Sequence, residues 1–208
     1  MEEETLWQEG AMSVSPLSEH EGQWLLRLAR EALEAGVRGQ SLPPLPPDLP
    51  PRLREDGAAF VTLRTKRDGR LRGCIGSIIA TRPLADDVRA HALDAALHDP
   101  RFPPVTPPEL PELALEVSCL TPLQPLTYRS PDDLLARLRP GVDGVLLRDG
   151  WRQATFLPQV WHSLPQPPEF LTHLCLKMGA EPACWQRPLE VFTYQVQAFQ
   201  EPGYWEAD

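Results

Sequence analysis

Apolar residues along the chain switch between helical and strand periods. Between residues 17 and 36, Leu25, Leu28, Ala32, Leu33 and Ala35 fall on one helical stripe, which predicts a helix capped by Ser15 or Ser18 and stopped at Gly36. AAFVTLRT at 58–65 and LRGCIGSI at 71–78 read as strands, and Asp68-Gly69 between them is a hairpin turn signal, so the two runs pair antiparallel. Pro83, with Asp86 and Asp87 behind it, opens a second helix to about His98, where Asp99-Pro100 ends it.

ELALEVSCL at 112–120 alternates as a strand, and SPDD at 130–133 starts a short helix to Arg139. DGVLLRDGWRQATFL at 143–157 predicts a second hairpin about Asp149-Gly150. A helix follows at 167–179, proline at its start and glycine at its end, and LEVFTYQVQAF at 189–199 reads as one long final strand. Hairpins interspersed with helices indicate an α+β fold with mainly antiparallel sheets. SLPPLPPDLPP at 41–51 reads as a stiff polyproline II connector, with an SH3-type ligand as the lesser reading.

Composition narrows the picture. At 208 residues and 42% apolar, the chain can bury one core, or one core divided between two lobes. The 25 prolines exceed the usual ~5% and argue against a helical bundle. A net charge of −9 repels a phosphate backbone, and the basic run RTKRDGR at 64–70 sits in a hairpin turn, which argues against nucleic-acid binding. The acidic start MEEETLWQEG lacks the basic and apolar regions of a signal peptide, and no window approaches the ~18 apolar residues of a membrane span. A cytoplasmic protein is expected, with no membrane contact, a loose tail at 1–16, a single domain at 17–201 and a second tail at 202–208. Cys74, Cys119, Cys175 and Cys184 form no CxxC pair, so reduced thiols are expected, without a disulfide framework, a metal site or a cofactor.

Candidate chemistry centres on LRGCIG at 71–76. If Leu71 and Ile75 point into the core, alternation sends Arg72 and Cys74 together to the opposite face. Gly73 and Gly76 then give a ligand or another segment clearance to approach the backbone, and the Arg72 guanidinium favours thiolate at Cys74. The opposing reading is a small buried filler beside strand glycines that mark a bulge or close packing. Glu116, sent by alternation to the face opposite Leu115 and Val117, is a weaker candidate, as proton acceptor or as partner of Arg72. His91 and His98 are two turns apart, too far for one metal ion unaided, and read as a solvated helix face. His162 reads as exposed, Trp161 as packing, and His173 as lying along a packed helix.

These motifs carry a resemblance. LRGCIG, with FVTLR at 60–64, DPRFPPVT at 99–106, LEVSCLTP at 115–122, PGVDGVLL at 140–147, ATFLPQVW at 154–161 and FLTHLCLKMG at 170–179, resembles the AMMECR family, in particular its prokaryotic members within the AmmeMemoRadiSam system, over about residues 17–201. The resemblance implies two unequal lobes, each with a mainly antiparallel sheet flanked by helices, and a cleft between them beside the hexapeptide. It implies no established reaction, and it implies as partners a Memo-like protein and a radical SAM enzyme. The chain has no CxxxCxxC motif, so cluster chemistry would belong to a partner. Three readings follow: an accessory component whose cleft holds a small-molecule ligand or partner segment, anchored by Arg72, Gly73 and Gly76; an enzyme using Cys74 as nucleophile; and a nucleic-acid-associated protein, which the charge disfavours. The first is preferred.

Overall fold

The computed structural model describes residues 15–204; the expectations for segments 1–14 and 205–208 lie outside the described residues. The elements are α1 (Glu19–Val37), β1 (Ala58–Thr65), β2 (Leu71–Gly76), α2 (Leu84–Leu97), β3 (Leu113–Leu120), β4 (Gln124–Pro125), α3 (Pro131–Arg137), β5 (Gly144–Asp149), β6 (Arg152–Phe156), α4 (Pro167–Lys177), β7 (Glu190–Tyr194) and β8 (Val196–Gln200), with short 3-10 turns between them. They build two four-stranded sheets, β2-β1-β3-β8 and β4-β7-β5-β6, and every strand pair is antiparallel. The α+β expectation holds.

In the larger lobe, α1 starts at a capping box: Ser18 Oγ accepts from the Glu21 amide at 3.3 Å while the Glu21 carboxylate accepts from the Ser18 amide at 2.7 Å. Leu25, Leu28, Ala29, Ala32 and Leu33 of α1 share one core with Val88, Ala92 and Ala95 of α2 and with Val61, Leu63, Leu115 and Val117 of the sheet. Gly36 does not stop α1. The helix runs on to Val37, and Gly36 instead makes room for Leu93, whose Cδ2 would lie 2.0 Å from an added Cβ.

Two further expectations change. The long strand at 189–199 is two strands that serve different sheets: Tyr194 pairs with Gly144 and Val196 with Leu120. Alternation continues through the junction because the backbone stays extended, so sequence pattern alone does not show the change of partner. The chain crosses between sheets at Thr121 and Gln195, which bond to each other through Thr121 N to Gln195 O at 2.9 Å and Gln195 N to Thr121 Oγ1 at 2.8 Å.

The second correction concerns the thiols. Cys175 and Cys184 form a disulfide, so only Cys74 and Cys119 are free. Both bonded residues face the smaller lobe's core, one from α4 and one from the turn that follows it. A pairing made by chain reversal leaves no short-spacing signature. In that core Trp161 stacks on Phe170 at 3.7 Å between ring centroids and donates from Nε1 to Asp143 O at 2.7 Å, so its polar atom is satisfied in a buried site. Among the described residues no helix is long and apolar enough to cross a membrane.

Candidate functional site

Antiparallel register sets Cys74 of β2 beside Thr62 of β1, Thr62 beside Glu116 of β3, and Glu116 beside Gln200 of β8. These four residues form one row across the larger lobe's sheet. Their chain neighbours Val61, Leu63, Leu115 and Val117 lie in the core under α1 and α2, so the row occupies the other face. Thr62 Oγ1 donates to Cys74 Sγ at 3.4 Å. Glu116, only 8% exposed, accepts from Ser118 Oγ at 2.9 Å and Gln200 Nε2 at 2.8 Å. Cys74 itself is half-buried.

β2 is an edge strand, and the DPRF loop after α2 closes that edge. Asp99, 4% exposed, accepts from the Cys74 amide at 2.9 Å, from the Arg101 amide at 3.1 Å, and from Arg101 Nε and Nη2 at 2.9 and 2.7 Å. The Arg101 guanidinium above all, then the two amides, hold the Asp99 carboxyl well below the usual carboxylate range against the cost of burial. Arg101 Nη2 also donates to Cys74 O at 3.1 Å, and the same guanidinium neighbours the thiol. The cation at the sulfur is therefore Arg101.

Lys177, in the last turn of α4, arrives from the smaller lobe. Its ammonium donates to Thr155 O at 2.9 Å and sits 5.0 Å over the Phe156 ring. Partial burial pushes its pKa down, the Cys74 charge works the other way, and Arg101 adds to the depression. Tyr204, after β8, accepts from Arg64 Nε at 3.1 Å; burial, with the Glu116 charge adding, raises its phenol to about 12.

The sequence-derived candidates are placed differently from one another. Cys74 and Glu116 share the row, separated by Thr62. Arg72 is drawn away: its Nε donates to Glu109 Oε1 at 2.8 Å and its Nη1 to Pro103 O at 2.9 Å. The register slips between Leu63 and Arg64, which leaves Arg72 without a cross-strand partner, and strict alternation does not carry across such a bulge. The clearance at the two glycines is used internally. A Cβ on Gly73 would lie 2.0 Å from Ala95 O of α2, and one on Gly76 would lie 2.3 Å from the Phe60 ring. The expected pairing of Arg72 with Cys74, and of Arg72 with Glu116, gives way to an Arg72–Glu109 ion pair.

His91 is also corrected. It is buried against Asp87 at 3.2 Å, whereas His98 is exposed beside Asp94. Asp87, under the cost of burial, is still held low by His91, Arg82 and Ser77, and it accepts from the Ala59 amide at 3.0 Å. It is a tie between α2 and β1. Among the described residues no histidine hydrogen-bonds to Cys74. Cys119, the other free thiol, is pushed up to about 12 by burial, with Asp87 adding, and is chemically inert by comparison. It lines a cavity of about 420 Å³ at the Ala58–Leu120 end of the sheet, with Leu84, Leu120 and Leu123, and Cys74 is not part of that cavity.

Sequence reasoning missed Thr62, Asp99, Arg101, Lys177 and Tyr204. Asp99 was legible only as a helix terminator. What the fold assembles is a half-exposed thiol that accepts a hydroxyl hydrogen bond, with Arg101 bonded to the Cys74 carbonyl oxygen and the buried Glu116 carboxylate two strands away in the same row. That arrangement suits capture of a ligand.

The family model described as AMMECR1 matches residues 26–199. A protein of Methanothermobacter thermautotrophicus is 43% identical over 198 residues, covering 92% of this chain and 100% of that relative. One from Thermofilum pendens is 40% identical over 201 residues, covering 89% and 92%. A crystal structure of an uncharacterized protein from Pyrococcus horikoshii superposes with a TM-score of 0.83 at 34% identity, covering 89% of this chain and 94% of that one.

Proposed function

The chain belongs to the AMMECR1 family, and from that premise we propose that the ground around Cys74, where the two lobes meet, is a binding site for a small molecule or a partner segment. The protein works as an accessory component in the cytoplasm alongside a Memo-like protein and a radical SAM enzyme, and brings no cofactor of its own. One observation carries the reading: the half-buried Cys74 accepts at sulfur from Thr62 Oγ1 at 3.4 Å and at its carbonyl oxygen from Arg101 Nη2 at 3.1 Å. A few placed polar groups converging on an accessible side chain are the usual construction of a ligand site.

Mass spectrometry of small molecules retained through native purification, paired with alkylation of Cys74, tests this. A retained compound that slows Cys74 alkylation supports the reading; an empty site, with alkylation unaffected by the purified partners, removes it. Disulfides are uncommon in the cytosol outside hyperthermophiles, so a reduced Cys175–Cys184 pair in rapidly quenched cells would support the cytoplasmic assignment and an intact one would count against it in a mesophile.

A second reading makes the protein an enzyme with Cys74 as nucleophile. The Thr62 hydrogen bond to sulfur and the adjacent Arg101 favour it, and Glu116 is the carboxylate in the same row, two strands across. Covalent trapping of a retained compound on Cys74, lost in Cys74→Ser, would select this reading over simple binding.

A further inference from the structure

The cavity at the Ala58–Leu120 end of the larger lobe's sheet is separate from the ground around Cys74, and its walls are already built. Three stretches of chain meet there: residues 55–58 at the start of β1, residues 78–84 between β2 and α2, and residues 119–123 at the end of β3. The first two are pinned to each other, Leu84 N donating to Glu55 O at 2.9 Å and Gly57 N to Arg82 O at 3.1 Å. On another side Gln197 holds Leu17 at both its amide and its carbonyl, each at 2.8 Å. A pocket whose walls are bonded before anything enters needs little ordering when it is filled. At about 420 Å³ it falls within the ~300–1,000 Å³ of small-molecule sites.

The lining sets what can enter. Leu84 and Cys119 are buried in it, Ile78, Leu120 and Leu123 are half-buried, and Ile79 stands 48% exposed. An aliphatic wall of this kind gains by being covered. The polar groups beside it are already engaged: Arg52 Nη1 donates to Pro16 O at 2.8 Å and Nη2 to Ser15 O, Gln197 is taken by Leu17, and burial holds the Cys119 thiol in its protonated form. The exposed carboxylates of Glu55 and Asp56 also line the cavity, with no hydrogen bond or ion pair among the described residues, and they repel an anion.

We infer that this cavity is a second binding site, which takes a small uncharged apolar molecule against Ile78, Ile79, Leu120 and Leu123. Burial of apolar surface supplies the affinity, and the two carboxylates supply the selection against negatively charged ligands. The site goes beyond the Cys74 reading and does not depend on it, because Cys74 is not part of this cavity.

Calorimetric titration of the full chain with 2-naphthol and, separately, with 2-naphthoate, which carries a negative charge on the same ring system, tests this. Saturable one-to-one binding of 2-naphthol is expected, with 2-naphthoate weaker by about tenfold or more. Ile79→Glu, which sets a charge on the apolar wall at an already exposed position, should weaken 2-naphthol by about tenfold or more, and Ala80→Trp, also at an exposed position of the lining, should do the same by filling the space. Leu176→Glu, at an exposed apolar position of α4 in the other lobe, should bind as the wild type does. Saturating 2-naphthol should leave the Cys74 alkylation rate unchanged; a slowed rate would put the probe at Cys74 and overturn the inference while leaving the Cys74 reading in place. The inference is equally overturned by absence of saturable binding to the full chain, as would follow if residues 1–14, which lead into the cavity wall at Ser15, took the space. It also falls if 2-naphthoate binds as tightly as 2-naphthol, if either Ile79→Glu or Ala80→Trp keeps the wild-type affinity, or if Leu176→Glu is weakened as much as they are.

Discussion

Replacing Gly73 with alanine tests how the hexapeptide is seated. The added Cβ would stand 2.0 Å from Ala95 O and 2.9 Å from the Ala95 carbonyl carbon. A C···O contact normally lies at about 3.3 Å or more, so α2 or β2 must retreat by roughly 1.3 Å. Both obstructing atoms are backbone, and no rotamer change relieves them. The retreat would pull on Val88, Ala92 and Ala95 in the core and on the bond from Val105 N to Ala96 O at 2.8 Å. Overpacking of this kind costs about 3 kcal/mol, and the lower chain entropy of unfolded alanine returns up to ~1 kcal/mol. The net loss is about 2 kcal/mol, which for a chain of this size lowers Tm by about 4–8 °C. Thermal and urea unfolding measure it, and alkylation of Cys74 should quicken, because Asp99 follows directly on α2 and caps the Cys74 amide. A Gly73→Ala protein that melts within about 1 °C of the wild type and alkylates at the wild-type rate would refute the packing argument.

Asp99→Asn weakens the charged contacts to Arg101 and the Cys74 amide, with an expected stability loss of about 2 kcal/mol by urea unfolding. The same carboxylate governs an acid response: its folded pKa lies below the unfolded value, so its contribution is complete above about pH 4 and disappears as the pH falls toward the folded value. The wild type should therefore lose more stability than Asp99→Asn on going from about pH 6 to about pH 3, and equal losses would contradict the assignment. Intact-mass analysis after iodoacetamide should show one adduct on the native protein, at Cys74, two after denaturation without reductant and four after reduction; four adducts without reductant would exclude the disulfide. Arg72→Ala should cost about 1 kcal/mol through the lost Glu109 pair and leave the Cys74 alkylation rate unchanged, whereas a changed rate would return Arg72 to the thiol.

Local pattern carried much of this protein. The capping box at Ser18 and Glu21, the hairpin turn at Asp68-Gly69, the alternation that puts Glu116 on the face away from Leu115 and Val117, and the unusual pair of glycines around Cys74 all depend on the backbone geometry of a few consecutive residues, which is why they are legible in order along the chain. Tertiary structure decided the rest. A bulge between Leu63 and Arg64 passed Arg72 to Glu109, and α2 and Phe60 filled the space beside the glycines. Chain reversal joined Cys175 to Cys184, and an extended segment divided its pairing at Gln195 between two sheets. The company of Cys74 was decided there too: Thr62 comes from the neighbouring strand and Arg101 from a loop held by Asp99. Periodicity fixes which way a side chain points relative to its own strand or helix; which group it meets there depends on how separate elements pack, and nothing local encodes that.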